Sequence, residues 1–289
     1  MRDLFYNALL PLGTRLSLAQ LHALGAGLGR LLWVALPRRR RETIACVQER
    51  LGLPLGEARR LARDSFTNTA DAFLEIFHTR QVGPRFLQAS TEFENPDLFA
   101  RMSRTSRPVV ATTAHLGSWE LLVGMIGGFS SKSNCQVVVR LPKDKELGEL
   151  IVHMRSQPRI RILPHRDAAT QTLNHLRAGG AGAFLVDHNC NRAEAEFLPF
   201  LGKIAAVNKG PAILALRAKA EVWPVFLLRL PHGRFRMVTL PPLDTRSLSG
   251  DRGERIRRIC RFYTQAVESM VQRYPEQWFW MHRRWKTRP

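Results

Sequence analysis

His115 and Glu120 are the two side chains of this sequence whose types and spacing best suit proton transfer. They stand as His-x-x-x-x-Glu, directly after the apolar, β-branched stretch 108–114. An imidazole can serve as general base on a hydroxyl, and a carboxylate behind the ring fixes its tautomer. If the histidine follows a strand and the glutamate lies in the next helix's first turn, the two come within hydrogen-bond reach. We therefore predict a His115–Glu120 catalytic pair.

The context of this pair decides between two interpretations, because the chain has nine histidines and the spacing alone is a weak signal. The alternative is a strand-end histidine that makes an ordinary backbone hydrogen bond. A strand before the pair, Gly117 in the turn and Ser118 as a plausible N-cap favour catalysis. The adjoining helix N-terminus also offers N–H donors to an oxyanion.

Covalent catalysis and cofactor chemistry have no motif in the sequence. There is no GxSxG nucleophile elbow, so we expect general base catalysis without a covalent intermediate. The four cysteines lack CxxC spacing and are expected to be buried, unreactive thiols. Neither a P-loop, a GxGxxG fingerprint nor metal-ligand spacing is present, so we expect no cofactor and no metal.

The elements that must position the pair alternate between strand and helix. Strand-like stretches at 108–114, 135–140, 160–163 and 183–186 are separated by helical patterns. This alternation predicts an α/β fold with a mostly parallel central sheet flanked by helices, a hydrophobic or amphipathic N-terminal helix and a C-terminal helix. Ligands bind at the carboxyl ends of the strands in such sheets, where the loop at His115 begins.

The N-terminal segment is the part of the chain that best suits a membrane surface. Its leucine-rich run 4–36 is interrupted by Arg15, His22 and Arg30, and four arginines follow at 38–41. The run is too polar for a confident span but suits a helix lying in the interface, held by its basic flank. The alternative is an amphipathic helix packed on the domain. We divide the chain into a membrane-associating helix, 1–36, and a catalytic domain, 37–289.

Charge restricts the class of partner. The formal net charge of +20 favours nucleic acid, an anionic membrane or an acidic protein, although the arginines are spread along the chain. The rival to an enzyme is therefore a nucleic-acid-binding protein. No recognition motif appears, so we expect no nucleic-acid partner. A membrane-bound scaffold with an inactive site is a third interpretation.

Several blocks resemble one family. The segment 113–120 (Thr-Ala-His-Leu-Gly-Ser-Trp-Glu) is similar to the catalytic block of the lipid A late acyltransferases, the lauroyl/myristoyl acyltransferases of the lysophospholipid-acyltransferase-like superfamily. The C-terminal block 275–286 is the most specific match. Further matching blocks, in chain order, are 38–51, 64–77, 184–189 and 200–224.

The resemblance implies an O-acyltransferase at the inner membrane, with its catalytic domain facing the cytoplasm. The donor would be acyl carrier protein, or less readily coenzyme A, and the acceptor a hydroxyl of an anionic, phosphorylated glycolipid such as a lipid A precursor. A phosphatidylinositol mannoside is an alternative acceptor, because acyltransferases for that lipid have a similar fold pattern.

Particular residues carry over from the family to this sequence. His115 would be the base and Glu120 its partner, Arg155 would match an arginine near the reacting centre, and Asp187 a second acidic position. Arg140 and Arg155 suit bidentate phosphate binding, although each could be a solvated surface arginine. Asp187 could orient an arginine or a ring nitrogen, or cap the following turn. His188 and the stretch 208–210 (Asn-Lys-Gly) depart from the family pattern.

Overall fold

The N-terminal part of the chain is helical. Helices α1 (Leu10–Arg15), α2 (Leu18–Ala35), α3 (Pro37–Leu51) and α4 (Leu55–Leu74) follow one another, and a 3₁₀ turn covers Glu75–His78. The computed structural model of the chain describes residues 10–83, 86, 89–129, 135–139, 141–142, 144–156, 159–165 and 168–289.

A mostly parallel sheet forms the centre of the fold, in the order β1-β9-β8-β2-β5-β3-β4, with β10 beside β8. Strands β8 and β9 form the antiparallel pair within this order, and β10 is also antiparallel to β8. A separate hairpin, β6–β7, lies outside the sheet. The strands are β1 (Thr91–Phe93), β2 (Val109–Thr113), β3 (Cys135–Val139), β4 (Ile160–Pro164), β5 (Ala181–Leu185), β6 (Ala195–Phe200), β7 (Lys203–Asn208), β8 (Glu221–Leu230), β9 (Arg234–Thr239) and β10 (Leu243–Asp244).

The remaining helices follow the strands and cover the sheet. The short β2, β3 and β5 are largely buried, as strands covered on both faces must be. The predicted α/β fold with its N-terminal and C-terminal helices is therefore confirmed. These helices are α5 (Pro96–Arg104), α6 (Trp119–Phe129), α7 (Lys145–Arg155), α8 (Ala168–Arg177), α9 (Gly210–Ala218) and α10 (Arg252–Arg273).

Helix α2 carries two apolar faces. One face places Leu21, Gly25, Gly29 and Trp33 in the interior, where the helix packs against α4. The opposite face leaves the large apolar side chains Leu24, Leu31 and Val34 between 54% and 70% exposed. Within the described residues, none of the helices combines the length and apolar character that crossing a bilayer would require. The helix is thus packed on the domain and still presents an apolar surface.

Asp71 is a buried acid at the contact between α4 and α2. Its Oδ1 has no hydrogen-bond partner among the described residues, and a Cβ built on Gly25 of α2 would collide with that oxygen. Burial raises the pKa of Asp71 to about 6, against the opposing charges of Arg229 and His22. The folded chain therefore holds a proton on Asp71 at a pH where the unfolded chain has released it.

We expect Asp71→Asn to stabilise the chain above pH 6. Between a pH of about 4 and about 6 the native carboxyl binds more proton than the unfolded one, so the free energy of unfolding falls as pH rises. The amide has no such cost and should add up to about 3 kcal/mol at pH 8. Urea unfolding at pH 4 and 8 measures this, with exposed Asp64→Asn on the same helix as control. Equal pH dependence of Asp71→Asn and the original chain would contradict it.

Candidate active site

His115 lies two residues beyond the end of β2, and both its backbone and its ring are held by Asp187. The backbone N–H of His115 donates to Oδ2 of Asp187 at 2.9 Å, and Nδ1 lies 2.9 Å from Oδ1. An ionised carboxylate only accepts, so the ring proton is on Nδ1 and Nε2 keeps its lone pair. The side chain of Asp187 is fully buried, whereas that of His115 is about a quarter exposed. The carboxylate therefore fixes both the position and the tautomer of the ring.

Neighbouring parallel strands bring these two residues together. β5, which precedes Asp187, pairs with β2, and Thr113 is opposite Leu185 in the register. Trp278 adds a third bond to the carboxylate, because its Nε1 donates to Oδ2 at 2.9 Å. Residues beyond the ends of adjacent parallel strands meet at the same edge of the sheet, where ligands bind in such folds.

The charges of the pair stabilise each other. Burial alone would disfavour the charged forms of both groups. For His115 the carboxylate of Asp187 outweighs burial and raises the pKa of the ring, with Glu120 adding to the rise. For Asp187 the charge and hydrogen bond of His115 outweigh burial and hold its pKa far below the ordinary range. The carboxylate is thus ionised at neutral pH, and the ring is a stronger base than a free imidazole.

Glu120 does not form the hydrogen bond to His115 that the sequence predicted, and that geometric prediction is wrong. Its carboxylate is buried in the first turn of α6. It accepts a hydrogen bond from Nε of Arg155 at 2.7 Å and another from Nη2 of Arg155. Nε1 of Trp119 donates to it at 3.2 Å. The turn after His115 directs the start of α6 towards the end of α7, so Glu120 acts on the ring through charge alone.

Of the two arginines predicted to bind phosphate, Arg155 lies beside the ring of His115. Arg155 ends α7, with its side chain 17% exposed. Its Nε and Nη2 are taken by Glu120, which leaves Nη1 without a partner among the described residues. Bidentate phosphate binding by the whole guanidinium is therefore not available while this ion pair persists. Arg140 is not among the described residues.

The turn between His115 and α6 is held by backbone contacts. Gly117 has a φ of 64°, and a Cβ there would collide with the carbonyl oxygen of Leu227. The N–H of Gly117 donates to the carbonyl of Gln277 at 3.0 Å, and that of Ser118 to Leu227 at 2.7 Å. These two N–H groups are therefore not free to bind an oxyanion. The hydroxyl of Ser118, proposed from the sequence as an N-cap, donates to Glu75 at 3.0 Å.

Aromatic rings lie next to the imidazole of His115. The ring of Trp119 is 5.4 Å from that of His115 and the ring of Phe279 is 6.0 Å away. Phe73, half exposed, contacts the rings of both Trp119 and Phe279 edge-on. No described residue forms a hydrogen bond with Nε2 of His115. Apolar rings therefore adjoin the imidazole, whose Nε2 is the nitrogen left to react.

The C-terminal segment supplies contacts that the sequence did not assign to the site. The N–H of Phe279 donates to the carbonyl of His115 at 2.9 Å, and Nε2 of His282 lies 3.1 Å from the carbonyl oxygen of Asp187. Trp278 and Trp280 are buried, so these two rings pack in the core. The specificity of the block 275–286 was the signal that could have found them.

The comparison with protein families decides which family this site belongs to. The family described as bacterial lipid A biosynthesis acyltransferase matches residues 4–287. The chain belongs to the bacterial lipid A biosynthesis acyltransferases. The resemblance of its catalytic and C-terminal blocks to that family is thus confirmed.

Individual relatives of this lipid A acyltransferase family member are distant. The chain is 31% identical over 116 residues to the lipid A biosynthesis lauroyltransferase of Escherichia coli, covering 39% of this chain and 36% of that one. It is 23% identical over 202 residues to the palmitoleoyltransferase of the same organism, covering 68% and 62%. The matches therefore span about a third and about three fifths of these relatives' lengths. A 1-acyl-sn-glycerophosphate acyltransferase from Thermotoga maritima overlaps with a TM-score of 0.40 at 13% identity, over 87% of this chain and 97% of that chain.

Both departures from the family pattern line one cleft of this acyltransferase family member. His188 and the stretch 208–210 border a cleft of about 390 Å³ between the starts of α8 and α9. Its described lining residues do not include His115. His188 directly follows Asp187 in the chain, so this cleft begins next to the His115–Asp187 pair.

The cysteines are poorly suited to nucleophilic chemistry. Burial raises the pKa of Cys46 to about 11 and those of Cys135 and Cys260 to about 12, and it also raises that of Cys190. A thiol reacts through its thiolate, which these pKa values make scarce at neutral pH. His115 is thus the group at this site best suited to activate a nucleophile.

Proposed function

We propose that this chain is an O-acyltransferase that moves a fatty acyl chain from acyl carrier protein to a hydroxyl of a phosphorylated glycolipid, a lipid A precursor. The observation that carries the proposal is the histidine–carboxylate pair with a free Nε2 at the carboxyl edge of a parallel sheet. Membership of the family supports the glycolipid acceptor. In this proposal the partner that orients His115 is Asp187, whereas Glu120 and Arg155 form a charged pair beside it.

The proposed reaction is a single acyl transfer with general base catalysis. Nε2 of His115 takes the proton of the acceptor hydroxyl as its oxygen attacks the carbonyl carbon of the thioester. The carbon–sulfur bond then breaks, and the imidazolium returns its proton to the departing thiolate. Asp187 stabilises the imidazolium between these steps. The products are an ester on the glycolipid and a free carrier thiol.

The negative oxygen of the tetrahedral intermediate needs donors near Nε2. The N–H groups of Gly117 and Ser118 are already bound within the protein. The free Nη1 of Arg155 and the backbone N–H groups at the start of α6, from Trp119 onward, are the remaining candidates. This assignment also gives the Glu120–Arg155 pair a role, because it fixes the guanidinium.

We propose that the chain works at the inner membrane, with its catalytic domain facing the cytoplasm. The support is the exposed apolar face of α2, which carries Leu24, Leu31 and Val34, and the arginines 38–41 that follow it. An amphipathic helix with such a basic flank suits the surface of an anionic bilayer.

Substitution on the exposed face of α2 tests the membrane proposal. We expect Leu31→Glu and Val34→Glu each to weaken binding to vesicles of anionic phospholipid about tenfold, since burial of such a side chain contributes about 1.5–3 kcal/mol. Cosedimentation measures the binding. Ile204→Glu, an exposed apolar position on β7, is the matched control. Equal vesicle binding by all four proteins would contradict the proposal.

Mass spectrometry of the reaction products tests the proposed activity. The full chain is incubated with a lipid A precursor and either acyl carrier protein or coenzyme A loaded with the same fatty acid. We expect the precursor to gain the mass of one fatty acid minus one water, and to do so faster with the carrier protein. A phosphatidylinositol mannoside replaces the acceptor in a parallel reaction. Acylation of that lipid alone would overturn the acceptor assignment, and acylation of neither would overturn the function.

A further inference from the structure

Glu75 is a fully buried carboxylate that the proposed reaction does not use. Its Oε1 accepts three donors: Nε of Arg229 at 2.7 Å, the hydroxyl of Ser118 at 3.0 Å and Nε2 of His22 at 3.0 Å. Its Oε2 accepts Nη2 of Arg229 at 3.0 Å. Burial opposes the charge of Glu75, but Arg229 and His22 outweigh it and lower the pKa of the carboxyl. A carboxylate with this many buried donors holds several elements at fixed positions.

Arg229, the main partner of Glu75, also binds the turn 116–118 between His115 and α6. Its Nη2 donates to the carbonyl of Gly117 at 3.0 Å, and its Nη1 to the side-chain oxygen of Asn68 at 3.1 Å. The amide side chain of Gln277 accepts the N–H of Arg229 at 2.9 Å and donates to its carbonyl at 3.0 Å. The guanidinium therefore has little freedom to move, and its bond to Gly117 is firmly placed.

The two residues held in this way belong to the turn 116–118, which separates the base from α6. Gly117 is bound by Arg229 through its carbonyl, and Ser118 by Glu75 through its hydroxyl. Ser118 directly precedes the start of α6, which carries Glu120. A small rotation of this turn would move His115 relative to the Glu120–Arg155 pair, and displacements of about 1 Å at a reacting centre can cost about 100-fold in rate.

His22 connects the same carboxylate to α2. This helix presents the exposed apolar face on one side and packs against α4, which Glu75 directly follows, on the other. The ring of His22 is partly exposed, while Glu75 is fully buried. The contact is thus the direct polar link from the exposed N-terminal helix to the group that binds Ser118.

We propose that Glu75 and Arg229 are positioning residues that set the geometry of the catalytic turn 116–118, and that His22 couples this geometry to the seating of α2. This proposal rests on the proposed function, because its kinetic test measures the kcat of acyl transfer. It assigns neither residue a contact with substrate, so it concerns turnover more than substrate binding.

The kinetic test compares Glu75→Gln with variants of His22. We expect Glu75→Gln to lower kcat about 10- to 100-fold with KM for the acyl donor within about threefold, as misplacement predicts. The pH of the acidic limb should stay unchanged because Asp187 is intact. His22→Ala should lower kcat less, and His22→Gln, which keeps a donor, should restore it. His22→Ala retains the Glu75–Arg229 pair and so keeps the test valid if Glu75→Gln fails to fold.

Two controls separate positioning from a loss of stability. Val271→Ala removes buried volume on α10, whose described side chains form no hydrogen bond with the turn or with Glu75. Glu92→Gln disrupts ion pairs with two partly exposed arginines, Arg234 and Arg236. Both should keep kcat close to the original value at temperatures below their unfolding. A kcat loss in Val271→Ala as large as in Glu75→Gln would overturn the proposal, as would a folded Glu75→Gln protein with unchanged kcat.

Amide hydrogen exchange tests the same proposal without the reaction. The N–H groups of Gly117 and Ser118 should exchange at least tenfold faster in Glu75→Gln and in His22→Ala than in the original chain and in Glu92→Gln. Unchanged exchange in both variants would overturn the positioning role. If the original chain transfers no acyl group, the proposed function fails while this measurement still decides the structural claim.

Discussion

Replacing Asp187 by asparagine is expected to lower kcat about 10²- to 10⁴-fold while the chain stays folded, as for other histidine–carboxylate pairs. In the structure Oδ2 accepts two N–H groups, from His115 and Trp278, and Oδ1 faces Nδ1 of the ring. Asparagine has a single oxygen, which the two N–H groups would retain. Its NH₂ would then face Nδ1 and force the ring proton onto Nε2, where no base remains for the hydroxyl.

The pH profile distinguishes this effect from a general loss of function. Asp187 raises the pKa of His115. In the original chain kcat/KM should therefore rise with pH and reach its plateau at a pH above the ordinary pKa of a histidine ring, where His115 has lost its proton. Residual activity of Asp187→Asn should reach its plateau at lower pH, since the anion that favours the imidazolium is gone. An acidic limb at the same pH in both proteins would contradict the assignment of Asp187.

Removing one member of the Glu120–Arg155 pair is expected to cost about 3–5 kcal/mol of unfolding free energy, because the other charge remains buried and unpaired. Glu120 is fully buried and the side chain of Arg155 nearly so. Glu120→Ala and Arg155→Ala should both show this loss in urea unfolding. The double variant Glu120→Met with Arg155→Met should recover most of the stability, because neither charge is then left, but not the activity.

The exposed ion pair of Arg38 with Glu42 is the control for this prediction. Arg38→Ala should change the unfolding free energy by less than about 0.5 kcal/mol, as exposed pairs usually do. Additive losses in the double methionine variant would contradict the ion-pair interpretation. Glu120→Gln should also shift the acidic limb less than Asp187→Asn, since Glu120 acts on His115 only through charge.

The position of His115 could be predicted from sequence, but its partner could not be selected. A β-branched run, a glycine in the turn and a helix pattern were sufficient to place the histidine between β2 and α6. Glu120 is five residues away in the sequence, and Asp187 is 72 residues away. The order of strands in a parallel sheet is set by long-range packing, so the pairing of β2 with β5 could not be predicted from the sequence. Asp187 was predicted as a possible partner of a ring nitrogen, without knowing which.

Local patterns also missed short or irregular elements. β1 and β10 have three and two residues, too few for an alternating pattern. Trp278 and His282 lie in a segment without helix or strand periodicity, and only the fold brings them to Asp187. In the same way, the carboxylate of Glu75 binds residues from α2, the turn 116–118 and β8, three regions far apart in the chain. Sites of this kind depend on tertiary contacts that periodicity does not encode.

Nitrogen-15 NMR of the histidine rings measures the central claim most directly. The His115 signals are assigned by their loss in His115→Gln, and the ring is titrated in the original chain and in Asp187→Asn. We expect a neutral ring with its proton on Nδ1 and a pKa above the ordinary 6.5 in the original chain, and a lower pKa with the proton on Nε2 after the substitution. A proton on Nε2 in the original chain, or a titration that Asp187→Asn leaves unchanged, would contradict it.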